Sequence, residues 1–515
     1  MKTEGLALLF HELAFLYLFM PVTMSIAIWA GRKDSKTFFI YFLCVASLVF
    51  YGWWNPDFVP LLVASIVFNY FLGNYLVQCK NVRRRKVALF FGVSANLLVL
   101  ISFKYLGFIA GVVGEAFSVE LDAPSLELPL GVSFFTFLQI AYIVDAAKGE
   151  TSKDEFAPYF LFVTFFPHLI AGPLVHHRSL IRQFSDKMTN VSENLAVGFT
   201  IFVIGLFKKL VLADFVVYWS DSVFNGAVNG IAPSMIDSWV GAISFTLLIY
   251  FDFSSYSDMA IGLSKMLGIR LPENFNSPYK ATSIIDFWRR WHITLSSFLR
   301  DYLYIPLGGN RKGPSRRYLN LTIVMLLAGL WHGASWQFVL WGGLHGGYLL
   351  VNHLWRALKL FEFPKVLGFL ITFLAVVFAW VPFRAQTWDA SVLVFKGMIG
   401  LNGVVLPVHY KGLLPSAFGD TLASIGVKFG SLSVYGGGMQ LLQLSLLLLF
   451  VWLLPNTQQI MGRYDVVLDK RAEPVALWMC WRPSVATGCV IAVLSAYLWM
   501  LGMQGKAGEF IYFQF

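Results

Sequence analysis

The chain has 515 residues, of which 57% are hydrophobic and only 13% charged. A soluble globular protein carries about a quarter charged residues and at this length divides into several domains. That class is therefore excluded, and one membrane-embedded domain spanning 1–515 is expected. The formal net charge of +10 would raise nucleic acid as a partner for a soluble protein. In a membrane protein Lys and Arg collect in cytoplasmic loops, so nucleic acid is set aside, and an anionic substrate or lipid headgroup remains the second explanation.

The N-terminal apolar stretch is long, is interrupted by His11 and Glu12, and leads straight into another span. It reads as a first transmembrane helix and not as a cleaved signal peptide. A span needs about 20 mostly apolar residues. Candidates fall near 7–30, 37–54, 57–78, 87–114, 128–145, 156–174, 194–219, 237–267, 319–354, 365–383, 439–455 and 485–503. The expected fold class is thus all-α and polytopic, with roughly 11 to 13 membrane helices, some incomplete. The loops holding Arg32, Lys33 and Lys36, and then Lys80, Arg83, Arg84, Arg85 and Lys86, are basic. The turn Asn55-Pro56-Asp57 and the loop with Glu115, Glu120, Asp122 and Glu127 contain no Lys or Arg. The positive-inside rule then places the N-terminus outside and the basic loops in the cytoplasm. Pro167, Gly172 and Pro173 interrupt the apolar run "FFPHLIAGPLVHHR", which predicts a re-entrant segment that is buried in protein or lines a cavity. The stretch 384–438 reads as a long loop or short interfacial helices. Cys44, Cys79, Cys480 and Cys489 form no CxxC pair, so neither a disulfide framework nor a zinc site is expected.

The residues from 248 to 347 carry most of the chemical information. Asp252 and Asp258 sit in apolar sequence, where an ionisable group is costly unless paired; each is a functional candidate or a structural partner. In "DFWRRWHITLSSFLRDYLYIPLGGNRKGPSRR", apolar residues at 287, 291, 295, 298, 299 and 302 recur at helical spacing between charges. This predicts an amphipathic helix at the membrane surface or dipping into the protein. The trailing Arg311, Lys312, Arg316 and Arg317 serve topology or form a vestibule for an anionic donor. His332 lies about a dozen residues into the apolar run 319–354, near mid-membrane for a helix starting at about 319. Apolar surroundings favour an uncharged imidazole, which can act as a general base. Ala328, Gly329, Gly333, Ala334 and Ser335 around it allow close helix packing or leave room for substrate. His345 and His353 follow eight residues apart, without an HExxH pattern or a neighbouring acid, and no metal is expected. His176 and His177 read as solvated loop residues.

These residues resemble the membrane-bound O-acyltransferase (MBOAT) family, and within it the bacterial alginate O-acetyltransferase branch. The resemblance rests on "YFDFSSYSDMAIG", "ENFNSPY", "DFWRRWHITLSSFLRDYLYIPLGGNR", "LAGLWHGASWQFVLWGGLHG" and the terminal "FIYFQF", with "YGWW", "LPLGVSFFTF" and "FFPHLIAGP" extending it towards the N-terminus. It is densest over 248–347, and the first 30 residues match the family's usual opening poorly. The resemblance implies a catalytic His332, with His292 at the family's second position, 40 residues earlier (332 − 292). It implies a funnel joining the two membrane faces, with re-entrant and interfacial helices around it. An acetyl group would enter from a cytoplasmic thioester, acetyl-CoA or another, with no bound cofactor. It would leave on an exopolysaccharide such as alginate or cellulose, helped by periplasmic accessory proteins at the bacterial inner membrane. Arg289, Arg290 and Arg300 are then candidate phosphate contacts. Tyr256 and Asp258 are candidates for supporting hydrogen bonds, and Trp288, Trp291, Asp301 and Trp331 are further substrate-binding candidates. Two rivals stand beside this reading. A transporter would use the intramembrane Asp and His as a proton relay, and solute uptake by vesicles separates it from acyl transfer. A non-catalytic scaffold of an export complex would tolerate loss of His332.

Overall fold

The computed structural model describes residues 8–33, 35–121, 124, 126–430, 438–468, 475–504, 508 and 510–511. Its secondary structure is almost entirely helical, as the apolar runs predict. The strands among the described residues form two short parallel pairs, Leu271–Pro272 with Val467–Leu468 and Val404–Pro407 with Val427–Gly430. Among the described residues, eight helices are long and apolar enough to cross a bilayer: Phe15–Arg32, Lys36–Trp54, Pro56–Gln78, Val82–Phe117, Val191–Val228, Met235–Met266, Lys365–Arg384 and Val485–Met503. Val132–Lys148, with 17 residues, and Gly438–Leu453, with 16, are apolar but shorter. The stretch 384–438 forms short helices at Trp388–Met398, Val408–Leu413 and Ser416–Ser424 around the second strand pair.

The chain divides into two compact units. The first comprises Met1–Leu210, Ser254–Asn274 and Thr457–Glu509. Bilayer helices gain nothing from apolar burial against lipid tails, so close packing and polar pairs hold them together. Both devices are present here. Asn69 and Asn96 exchange amide hydrogen bonds of 3.0 and 2.8 Å between neighbouring helices. Gly198 and Gly262 face each other so closely that a methyl on either would meet the other's carbonyl oxygen at 2.6 Å. The predicted re-entrant stretch is visible as a helix, Phe156–Thr164, followed by irregular chain in which every residue from 165 to 175 is buried. Its His168 is tied back to the Phe162 carbonyl at 3.0 Å. His177, expected in a solvated loop, is instead buried and contacts Thr151 Oγ1 at 2.8 Å.

Asp258 lies at the centre of this unit's polar core. It pairs with Lys208 Nζ at 2.6 Å and accepts from Thr457 Oγ1 at 2.5 Å and Gln458 Nε2 at 2.9 Å. Lone pairs on both carboxylate oxygens are thus engaged by residues far apart in sequence, which satisfies the condition for burying a charge.

The second unit comprises Val211–Phe253, Phe275–Asn456 and Phe510–Phe515. Arg384 Nη2 reaches Asp221 at 2.6 Å, and Trp239 Nε1 donates to the Met398 carbonyl at 3.0 Å. Asp252 accepts the backbone N–H of Ile511 at 2.9 Å. This anchors the start of the C-terminal motif; Tyr512–Phe515 lie outside the described residues. One expectation is corrected in this unit. The run 319–354 is not a single long helix but a hairpin of Gly313–His332 and Trp336–Ala357. The break falls at Gly333, whose backbone is extended (φ −162°, ψ 150°). A glycine there lets the chain leave the helix against the Phe338 ring, where a Cβ would clash.

The ion pair yields a first prediction. Asp258→Ala should lower stability by about 3–5 kcal/mol, because Lys208 is left buried without its counter-charge. The double variant Asp258→Ala/Lys208→Met should recover much of that loss in thermal unfolding of the detergent-solubilised chain.

Candidate active site

All the principal candidates between 284 and 383 lie within the second unit. The helix Ile284–Arg290 starts where Ser283 Oγ accepts the Asp286 N–H at 3.2 Å, an ordinary N-cap. The predicted amphipathic helix does not continue from there. It is broken into Ile284–Arg290, Ile293–Leu299 and a π-helical turn at Arg300–Tyr304. The breaking residue is His292, whose backbone is left-handed (φ 42°, ψ 55°). A non-glycine residue held in that region costs of order 1 kcal/mol or more, and such strain concentrates at functional sites.

The strain directs the His292 side chain into an aromatic enclosure. Its ring is 0% exposed. It meets Phe253 edge-on at 4.8 Å, and Phe275 and Trp331 at 6.3 Å each. Burial lowers this imidazole to about 3, so it is neutral at physiological pH.

His332 is the last residue of the first hairpin helix and is 6% exposed. Three rings wall it in: Trp331 at 4.9 Å, Trp341 at 5.1 Å and Phe383 at 5.2 Å. Trp331 therefore neighbours both histidines, and the two positions 40 residues apart in sequence come to one indole. The helices are drawn together by their small residues. A methyl on Gly329 would strike the Phe338 carbonyl oxygen, and one on Gly342 the Met325 carbonyl oxygen. Of the two sequence readings of the small residues around His332, close packing is the one realised at Gly329. From Leu321 to His332 is 12 residues, or about 18 Å of helix at 1.5 Å per residue, so His332 stands at the end of the hairpin away from its basic residues.

The other candidates separate into groups. Trp288 packs on Trp341 at 5.8 Å and His345 at 5.2 Å. Trp291 packs on Trp380 at 5.0 Å and Phe275 at 5.1 Å. Both belong to the wall. Arg290 is held by Asp286 at 2.9 Å and the Asn276 carbonyl at 3.4 Å. Arg300 makes a two-point contact with Asp301, at 2.7 and 3.0 Å. Arg289 is exposed. Tyr256 and Asp258 belong to the first unit, where Tyr256 stacks on Phe10 at 4.7 Å and Asp258 is engaged as described.

Sequence reasoning missed several wall residues, Phe253, Trp341, Trp380 and Phe383, and weighed His345 only as a metal ligand. His345 is 0% exposed, and neither ring nitrogen has a hydrogen-bond partner among the described residues. Phe287 at 5.9 Å and Trp341 at 4.9 Å flank it. The i,i+4 spacing of Trp341 and His345 was the available signal, since it puts both on one helix face. His353, grouped with it in the sequence as a possible ligand, instead lies against Arg317 Nη2 at 2.6 Å.

A multi-pass helical protein with a buried histidine at the tip of a helical hairpin describes a class of membrane enzyme, and comparison with known proteins gives that class its name. The chain belongs to the membrane-bound O-acyltransferase family, whose model matches residues 9–387. It is 43% identical over 430 residues to the peptidoglycan O-acetyltransferase of Helicobacter pylori, covering 78% of this chain and 81% of that protein. It is 41% identical over 405 residues to a probable alginate O-acetylase of Pseudomonas aeruginosa, covering 77% and 75%. A more distant relative, the teichoic acid D-alanyltransferase of Bacillus subtilis, is 27% identical over 50% of this chain and 69% of that protein. The protein is thus a membrane-bound O-acyltransferase.

Two predictions follow from this geometry. Gly342→Val should force the hairpin helices apart, costing about 1–3 kcal/mol by overpacking, with acyl transfer falling alongside the melting temperature. His292 is held at about 3 in the fold against 6.5 when free. Its contribution to stability is therefore complete above pH 6.5 and is lost as pH falls from there towards 3. His292→Asn should lose less melting temperature than the unmodified chain between pH 7.5 and pH 5.

Proposed function

We propose that this protein transfers an acetyl group from a thioester on the cytoplasmic side of the bacterial inner membrane, for O-acetylation of a polysaccharide outside it. The observation that carries the reading is the position of His332. It is buried at a hairpin tip between three aromatic rings, while the opposite end of the same hairpin carries Arg311, Lys312, Arg316 and Arg317. The positive-inside rule assigns that basic end to the cytoplasm and the N-terminus to the outside. Acetyl-CoA is the simplest donor, and no resident cofactor is needed.

In this mechanism His332 takes the proton of the acceptor hydroxyl as its oxygen attacks the thioester carbonyl. The tetrahedral intermediate collapses with cleavage of the C–S bond, and the departing thiolate recovers the proton from the imidazolium. General-base assistance of this kind contributes about 10²- to 10⁴-fold. His292, neutral and fixed by its backbone, orients the substrate or polarises the carbonyl. Trp288, Trp291 and Trp331 exclude water and shape the enclosure. Among the arginines, Arg289 is the better contact for donor phosphates, since Arg290 and Arg300 would have to leave Asp286 and Asp301.

The identities to an alginate O-acetylase and a peptidoglycan O-acetyltransferase support a cell-envelope polysaccharide as acceptor. The second of these adds peptidoglycan to the alginate-like polymers and cellulose expected from sequence. Accessory proteins outside the membrane would complete transfer to the polymer. His332→Ala should lower acetyl transfer by at least about 100-fold in a chain that melts like the unmodified protein. Unchanged turnover would remove His332 from the mechanism, and mass spectrometry of both polymers from a deletion strain identifies the acceptor.

A further inference from the structure

The second unit contains a cavity of about 730 Å³ where the hairpin's second helix ends and the helix Lys365–Arg384 begins. We infer that this cavity binds the headgroup of an anionic phospholipid, of the phosphatidylglycerol type, as a specific site on the enzyme. Three features of the cavity support this.

The first is charge. Arg356, Lys359 and Lys365 line the cavity against a single carboxylate, Glu362. Three cations and one anion leave a local charge of +2, and none of the three cations has an ion-pair partner among the described residues. The helix Lys365–Arg384 also opens here, with no side chain capping its first N–H groups, which adds a partial positive charge facing the same space. A phosphodiester is the ligand chemistry this arrangement takes.

The second is a set of polar side chains. Thr282, Ser283 and Asn352 line the cavity, and hydroxyl and amide groups of this kind hydrogen-bond the hydroxyls of a glycerol headgroup.

The third is the apolar continuation. Val366, Leu367, Leu370, Ile371 and Leu374 stay between 42% and 71% exposed on the helix that leaves the cavity. Their spacing puts them on one side of it, a track for acyl chains starting beside the cations. Trp355, Phe361 and Phe363 pack together at the cavity rim, with ring centroids 4.9 to 5.1 Å apart, as aromatic groups do at headgroup depth. A soluble phosphorylated ligand would use the cations but leave the apolar track uncovered.

Lys359 supplies a clean test because its backbone is left-handed (φ 50°). Lys359→Gly removes a cation while relieving that conformation, so it should melt no lower than the unmodified chain in detergent. Phosphatidylglycerol added to the detergent-solubilised full chain should raise the melting temperature saturably, and phosphatidylcholine should not. Lys359→Gly, and Arg356→Ala/Lys359→Gly/Lys365→Ala more fully, should weaken the apparent lipid affinity, the triple variant by at least tenfold. Basal acetyl transfer in detergent should be unchanged. A control variant, Arg311→Ala/Lys312→Ala, lies outside the cavity lining and should respond to the lipid normally. The inference is overturned if phosphatidylcholine stabilises equally, if the triple variant keeps its response, or if the control loses it to the same degree. It is overturned also if coenzyme A or inorganic phosphate displaces the lipid, which would make the cavity a site for a soluble phosphate.

Discussion

The second unit depends on one close approach, the meeting of the hairpin helices at Gly329 and Gly342. There each glycine Cα lies against the opposing backbone, where no side chain fits. Association between helices in lipid draws on packing and polar contacts and not on the hydrophobic effect, so this contact is the means by which the hairpin holds its shape. Its consequence is positional. With the helices locked about one to two turns below the tip, Trp331 and His332 at the end of one helix and Trp341 on the other meet as a set. Phe383, from the helix Lys365–Arg384, closes the remaining side.

The enclosure so formed is built from rings, and that choice has a physical reason. Aromatic side chains offer large rigid surfaces with few torsions to freeze, and edge-to-face contacts add about 0.5–1.5 kcal/mol per pair beyond burial. Trp341, at the centre, meets His332, His345, Trp288, Trp380 and Phe383 within 5.8 Å. A lattice this dense can hold the strained backbone of His292, because turning that residue to an ordinary conformation would withdraw its ring from Phe253 and Trp331. The strain is compensated by packing around it, and the imidazole is kept uncharged and aimed.

Much of this was legible in the sequence because the relevant signals are local. Apolar run length gave the membrane class. Pro167, Gly172 and Pro173 marked the irregular buried stretch, and the placement of His332 in an apolar run drew attention to it, while His292 was named through the family resemblance. What escaped were facts that reside in backbone angle or in tertiary contact. The run 319–354 is apolar on both sides of Gly333, so periodicity could not locate the break; only the extended backbone at that residue does. The amphipathic pattern over 286–303 fits one helix equally well, and nothing in the composition announces a left-handed histidine at 292. Asp258 and Asp252 were recognised as ionisable residues in apolar surroundings. Their partners, Thr457 and Gln458 for one and Ile511 for the other, lie about 200 to 260 residues away in sequence.

The distribution of paired and unpaired charge sorts the polar residues further. Asp258, Arg290, Arg300 and Arg384 each have a committed partner at 2.9 Å or less. Displacing Asp258 leaves its partner behind at a cost of several kcal/mol for a buried pair, whereas the exposed Arg300–Asp301 pair is worth about 1 kcal/mol or less. Groups of this kind hold structure. Arg289, Arg356, Lys359 and Lys365 are exposed, and binding an anion there displaces only water and counterions. Arg289 lies on the helix that carries Trp288 into the histidine enclosure, whereas the other three surround the cavity at the foot of the hairpin. On the donor and lipid readings proposed above, this separation by element would keep lipid from competing with a phosphate-bearing donor.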